Sequence, residues 1–304
     1  MKVGVNLLNF GPGANPTHLL AWAKVIESLG YHSLMICDHV AITPELSQRY
    51  PEPFYDPFTT LAWLAGQTER VSLGTTVIVL PYRNPVLMAR LGANIDQISG
   101  GRFIFGVGVG GNEREFQTLG VPFHQRGAIS TEYLDVILTL WTGTKVSYKG
   151  RFVSFTDISS PKPLQTPHPP IWVGGSSDAA IKRAVAVGDG WHPIRINKEW
   201  LANTGIPKLK QYANDMEKST PALCPRIRLE ITAKALPEES RLMGQGTLTQ
   251  IRRDLESLER MGAQHVLFDW FTGDVEATRN HETGWRMLAV LAEQALDLGH
   301  ETLR

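Results

Sequence analysis

Cysteine is almost missing from this chain: Cys37 and Cys224 are its only two. They cannot build a disulfide framework, and no C-x-x-C pair suggests a zinc or redox site. Net charge is missing as well. Thirty Lys+Arg balance thirty Asp+Glu, so no bulk field draws the chain toward nucleic acid or an anionic membrane. No apolar run approaches the ~20 residues that span a bilayer. The opening MKVGVNLLNF has too short an apolar stretch for a signal peptide and no small-residue cleavage site. Low-complexity segments and charge blocks are lacking too. The expectation is a cytoplasmic protein that meets neither nucleic acid nor membrane. Its 304 residues suffice for one large α/β domain or two ordinary ones.

What the chain does have is apolar, β-branched runs, most of them followed by a helical pattern. Strands are expected to begin near Val3, Ser33, Val71, Arg102, Ile171, Gly190, Ile227 and His265. LGTTVIVL and RFIFGVGV are almost continuously apolar, as parallel strands covered on both faces should be. Asp56-Pro57 and Asn84-Pro85 each place a cap residue before a helix-starting proline. Thr247-Leu-Thr-Gln250 fits a capping box. Gly30, Gly100 and Gly262 stand where helices should end.

Eight strands alternating with helices fit a (β/α)8 TIM barrel better than a doubly wound sheet. The interval from Arg102 to Ile171 is about double the others. It contains helical stretches at 112–119 and 127–141, a hairpin in VSYKGRFVSF and the connector PKPLQTPHPP. We read residues 112–170 as an insertion between strands four and five, within a single domain of residues 1–304.

FGVGVGGNERE holds the spacing Gly106-x-Gly108-x-x-Gly111, which suggests a dinucleotide loop. That fingerprint belongs in the first βα turn, with an acid ending the next strand ~20 residues on. Here the glycines follow the fourth strand, and the downstream acids Glu132 and Asp135 lie inside an amphipathic helix. The local pattern is strand, glycines, then a helix capped by Asn112 with Glu115 at its third position. Either the glycines let barrel and helix pack closely, or Gly108, Gly110 and Gly111 clear space for a flat ligand at the barrel mouth.

In a barrel, chemistry sits at the carboxyl ends of the strands. After the fifth strand, Gly174-Gly175-Ser176-Ser177 precedes a helix start and offers backbone N–H groups to an anion. The plain alternative is a turn with a serine cap. After the second strand come Asp38 and His39, which point to opposite faces and so do not form a relay with each other. His39 is the proton-transfer candidate. A metal site would need a third ligand such as His192 or Asp269, and no ligand-spaced motif joins them, so none is expected.

Taken together, SLMICDHV, YDPFTTLAWLAGQTERVSLGTTVIVLPYRNP, GGRFIFGVGVGGNEREFQTLGVPF and PPIWVGGSSDAAIKRAVAVGDGWHP resemble the bacterial-luciferase-like superfamily as far as about Pro193. The resemblance is strongest toward its branch of coenzyme F420-dependent oxidoreductases. Other branches are FMN-dependent monooxygenases. The resemblance implies that Asp38 and His39 meet a cofactor ring, with His39 assisting hydride transfer. It implies a non-proline cis peptide at Thr76–Val77 against the ring, Gly108 and Gly110 beside it, and Gly174, Gly175 and Ser176 at the cofactor phosphate. One departure stands out. A familiar sugar-phosphate dehydrogenase of this group has a catalytic glutamate just after the strand-four glycines, where this chain has Gly111-Asn112, with Glu113 the nearest acid.

The expectation is therefore an F420-dependent oxidoreductase acting on a small organic substrate. The alternatives are an FMN monooxygenase fed by a partner reductase, a catalytically silent flavin-binding barrel, and a phosphate-binding hydrolase or aldolase. Arg83, His192 and the loop from Val40 to Tyr55 are substrate-side candidates. That loop is long enough for a lid or a contact within a homodimer.

Overall fold

The computed structural model describes all residues, 1–304. Eight parallel strands carry the architecture: β1 (Lys2–Asn6), β2 (Ser33–Ile36), β3 (Ser72–Thr75), β4 (Phe103–Gly108), β5 (Ile171–Gly174), β6 (Gly190–His192), β7 (Arg226–Arg228) and β8 (His265–Asp269). Each begins within one residue of its sequence-based expectation. They lie in the order β6-β5-β4-β3-β2-β1-β8-β7, every pair parallel. The sheet curls strongly. Its far edge beyond β6 is Ala222–Leu223, only a few residues before β7 itself. Pro225 stands between the two pieces, and its carbonyl accepts from Leu267 N in β8.

Side chains alternate across these strands, and that alternation sorts the chain into two cores. Val3 and Val5, Leu34 and Ile36, Phe103 and Phe105, Val266 and Phe268 face the surrounding helices in one large buried cluster. The intervening residues face inward. Met35, Ile104, Trp172, Cys224 and Leu267 fill the middle of the curl. Small residues let the strands close on one another here: a Cβ on Gly106 would fall 1.7 Å from Thr75 O.

The helices start as their signals require. Asp56, Asn84 and Thr247 cap the helices Pro57–Ala65, Pro85–Ile98 and Leu248–Arg260, the last with a complete capping box. Gly30, Gly100 and Gly262 follow helices with φ of 87°, 70° and 84°, the left-handed conformation that glycine adopts freely. Between β4 and β5 lie the helices Glu113–Thr118 and Arg126–Thr142 and an antiparallel hairpin of Val146–Lys149 with Ser154–Ile158. No helix is long and apolar enough to cross a membrane.

Candidate active site

The inward alternation continues past the middle layer to the carboxyl ends of the strands, and there the residues turn polar. Asn6, Asp269 and His192 end β1, β8 and β6, and Arg226 opens β7, all buried. They form one chain of hydrogen bonds. Asn6 Nδ2 donates to Asp269 Oδ1 at 3.0 Å, and Arg226 Nη2 donates to Asp269 Oδ2 at 2.8 Å. Arg226 Nη1 reaches Thr76 O at 2.9 Å and Thr76 Oγ1 at 3.2 Å. Thr76 Oγ1 lies 2.8 Å from His192 Nε2, while His192 Nδ1 lies 2.5 Å from Cys224 O. A carbonyl only accepts, so Nδ1 carries the proton and Nε2 accepts from the threonine hydroxyl. Burial, joined by the charge of Arg226, lowers the His192 pKa to about 4. This imidazole is neutral, and both its nitrogens are engaged within the protein.

Thr76 begins a bulge after β3, and the Thr76–Val77 peptide is cis, as the resemblance implies. Val77 projects over β4 and β5. A Cβ on Gly108 would meet Val77 Cγ2 at 2.6 Å, and one on Gly174 would meet Val77 Cγ1 at 3.1 Å. At Gly110 (φ 72°) the space belongs to Val79 and Phe116, whereas Gly111 faces open space. Gly108 and Gly110 make room for protein, and Gly111 alone leaves room unfilled.

After β2, Asp38 and His39 part company as alternation requires. Asp38 is buried and accepts from Arg83 Nη1 and Nη2, at 2.7 and 2.8 Å, and from Val79 N at 2.9 Å. Arg83 is also held by Asp56 Oδ2 at 2.8 Å. The carboxylates raise its pKa despite burial. The substrate-side candidate Arg83 is therefore clamped between two acids of the protein.

His39 has a partner that sequence reasoning missed. Its Nδ1 lies 2.9 Å from Glu115 Oε2. Glu115 has no exposed side-chain surface. Its Oε2 also accepts from Tyr82 O–H at 2.8 Å, and its Oε1 accepts from Val40 N and Ala41 N at 2.7 and 3.1 Å. Burial alone would push this carboxyl upward. The bonds from His39, Val40 and Tyr82 outweigh it and hold Glu115 below the ordinary carboxylate range. Asn112 does cap the helix, accepting from Glu115 N at 2.9 Å. The expected reciprocal bond is absent because the Glu115 side chain is committed to the site.

The loop from Val40 to Tyr55 folds back over this pair. It contains one short helix, Pro44–Ser47, and it brings Tyr50 and Phe54 against His39 with ring centroids 5.1 and 5.5 Å away. Phe10 packs on the same two aromatics. After β5, Gly175 takes φ 107°. Ser177 caps the helix Asp178–Val187 by accepting from Ala180 N, which leaves Ser176 exposed before that helix start.

A cavity of about 1100 Å³ opens at the opposite end, among the amino ends of the strands. Glu27 accepts from three successive backbone N–H groups, and His265 is paired with Ser33. The polar residues converge at the carboxyl end, the end where parallel α/β barrels carry their chemistry.

The chain belongs to the luciferase-like monooxygenase family, whose model matches residues 1–240. A Mycobacterium tuberculosis protein described as uncharacterised is 33% identical over 191 residues, 58% of this chain and 64% of its own length. The FMNH2-dependent dimethylsulfone monooxygenase of Pseudomonas putida is 28% identical over 207 residues, 66% of this chain and 54% of that protein. This chain thus spans under two thirds of either relative. An F420-dependent secondary alcohol dehydrogenase, solved with an F420–acetone adduct, superposes with a TM-score of 0.79 at 17% identity over 96% of this chain and 97% of that one. That likeness speaks to the fold. Flavin-type cofactors, FMN or F420, serve both named proteins.

Proposed function

We propose that this chain is a coenzyme F420-dependent oxidoreductase, moving a hydride between the deazaflavin and a small organic substrate, with His39 and Glu115 handling the accompanying proton. The observation that carries this reading is the 2.9 Å bond between His39 Nδ1 and a wholly buried, ionised Glu115. With Nδ1–H fixed on the carboxylate, Nε2 is the nitrogen left to accept a proton, and Glu115 stabilises the imidazolium that results. The same arrangement supplies an acid near the position where the resemblance lacked one.

The residues present suit a flat ring with an anionic tail. Val77 on its cis bulge supplies an apolar prop, and Gly111 borders open space. Gly174, Gly175 and Ser176 would hold the phosphate at a helix start. The cofactor supplies the hydride chemistry. Asp38 acts through Arg83 and Val79 N, fixing the bulge from behind. Tyr50 and Phe54 exclude water from His39. We read the curled sheet as a closed (β/α)8 barrel, residues 112–170 as its insertion, and the whole as one domain that works as a homodimer.

The FMN relative supports a second reading, a monooxygenase whose reduced FMN comes from a partner reductase. Titration of the apoprotein with F420 and with FMN, following quenching of ring fluorescence, separates the two. Tight binding of F420 with substrate-dependent change in its redox state is the expected result. Tight FMN binding with oxygen-dependent turnover replaces the first reading by the second, and binding of neither overturns both.

A further inference from the structure

Beside the site, sharing Tyr50 with the surroundings of His39, lies a cleft lined by Arg49, Tyr50, Arg195, Arg226, Arg228 and Asp269 among others. Four guanidinium groups face one carboxylate. That carboxylate is already committed, accepting from Arg226, Asn6 and Phe271 N. Arg228 approaches it only to 3.9 Å. Arg228 Nη1 and Arg49 Nε are buried donors without an acceptor, an arrangement that costs free energy until something supplies one. Burial and the neighbouring Arg49, Arg195 and Arg226 together hold the Arg228 guanidinium below its usual pKa. The enclosed room in the cleft is about 20 Å³, the scale of one or two water molecules, so it admits a small polar group in their place and not a whole metabolite.

We propose that this cleft is the subsite for an anionic headgroup of the substrate, a carboxylate, sulfonate or phosphate taken by Arg49, Arg195 and Arg228. The proposal rests on the reading of the strand ends as the reaction site. Forked guanidinium donors suit planar and tetrahedral oxyanions. Position argues for substrate over cofactor. The cleft shares Tyr50 with His39, and its Arg226 runs through Thr76 to the cis bulge. The glycine–serine loop after β5, the expected phosphate holder, is a separate place. A ligand whose head sits among the arginines has its body beside Tyr50 and His39.

The test uses sulfate as probe. Sodium sulfate should raise the Tm of the apoprotein by about 2 °C over sodium chloride at equal ionic strength. Arg228→Met and Arg195→Met should each weaken the apparent sulfate affinity about tenfold, roughly 1.4 kcal/mol. Arg195 is exposed, so its variant keeps the test usable if Arg228→Met fails to fold. Equal effects of sulfate and chloride, or undiminished sulfate binding in the variants, overturn the proposal. Titrations with FMN and riboflavin identify the source of the anion. If Arg228→Met weakens FMN binding but not riboflavin binding, the site serves the cofactor's phosphate and the substrate assignment falls. The sulfate measurement needs no cofactor, so failure of the redox reading is seen separately.

Discussion

His39 Nδ1 lies 2.9 Å from Oε2 of Glu115, and the carboxylate has no exposed surface. A buried anion so placed fixes both the ring's orientation and its tautomer. Glu115→Gln keeps the size and removes the charge that stabilises a protonated imidazole. We expect kcat to fall about a hundredfold with KM changed less than about threefold. Steady-state kinetics across pH checks this, and an unchanged kcat removes Glu115 from the proton-handling pair.

Arg83 and Asp38 form a two-pronged ion pair with the carboxylate side chain fully buried. Breaking such a pair from one side leaves an uncompensated charge, at a cost of roughly 3–5 kcal/mol. Arg83→Met should therefore destabilise the fold by about that amount. Asp38→Asn in the same chain should restore part of the loss, since the stranded charge is gone. Chemical denaturation of the two single variants and the double variant measures the coupling. Simple additivity of the two effects contradicts the pairing.

His192 is neutral in the fold, with its pKa lowered from 6.5 to about 4. In the unfolded chain the imidazole binds a proton below pH 6.5, while the folded one refuses it until about pH 4. Its contribution is thus fully present above pH 6.5 and is lost as pH falls through that window. The slope approaches 1.4 kcal/mol per pH unit. His192→Asn should flatten the stability profile between pH 6.5 and 4 by about that slope relative to the parent. Parallel profiles contradict the assignment.

A methyl group at Gly108 would fall 2.6 Å from Val77 Cγ2. Gly108→Ala should push Val77 off its place, costing roughly 1–3 kcal/mol in stability and weakening cofactor binding. Val77→Ala should relieve the clash, so Gly108→Ala becomes nearly neutral in that background. At Gly106 the obstacle is a backbone carbonyl, Thr75 O at 1.7 Å. Gly106→Ala should therefore fail to give folded protein, and no side-chain trimming rescues it. Circular dichroism and Tm measurements on this set check both statements.

Sequence reasoning reached the strands because both faces of each are covered, and continuous apolar runs announce that. It reached the caps because Asn-Pro, Asp-Pro and the Thr–Gln box have local causes. Glu115 escaped because its spacing from Asn112 fits a capping box, a local explanation that hides a long-range one. The partner bond spans 76 positions. Arg226 and Arg228 escaped because Ile227 marked that strand as apolar. The alternation Arg-Ile-Arg was the available signal, since residues two apart share a face and the face opposite the outer core is the inner one. The clamp on Arg83 and the burial of His192 depend on register between strands, which no single strand's sequence states.

Glu115 has a second pair of bonds, to the backbone N–H groups of Val40 and Ala41, where the loop covering the mouth begins. One carboxylate therefore anchors the start of that loop and orients the imidazole beneath it. Drawing residues 40 and 41 away strips Glu115 of two of its four donors. The covering loop and the proton-handling pair are interlocked through a single side chain: the mouth in its covered form and the aimed histidine share one anchor.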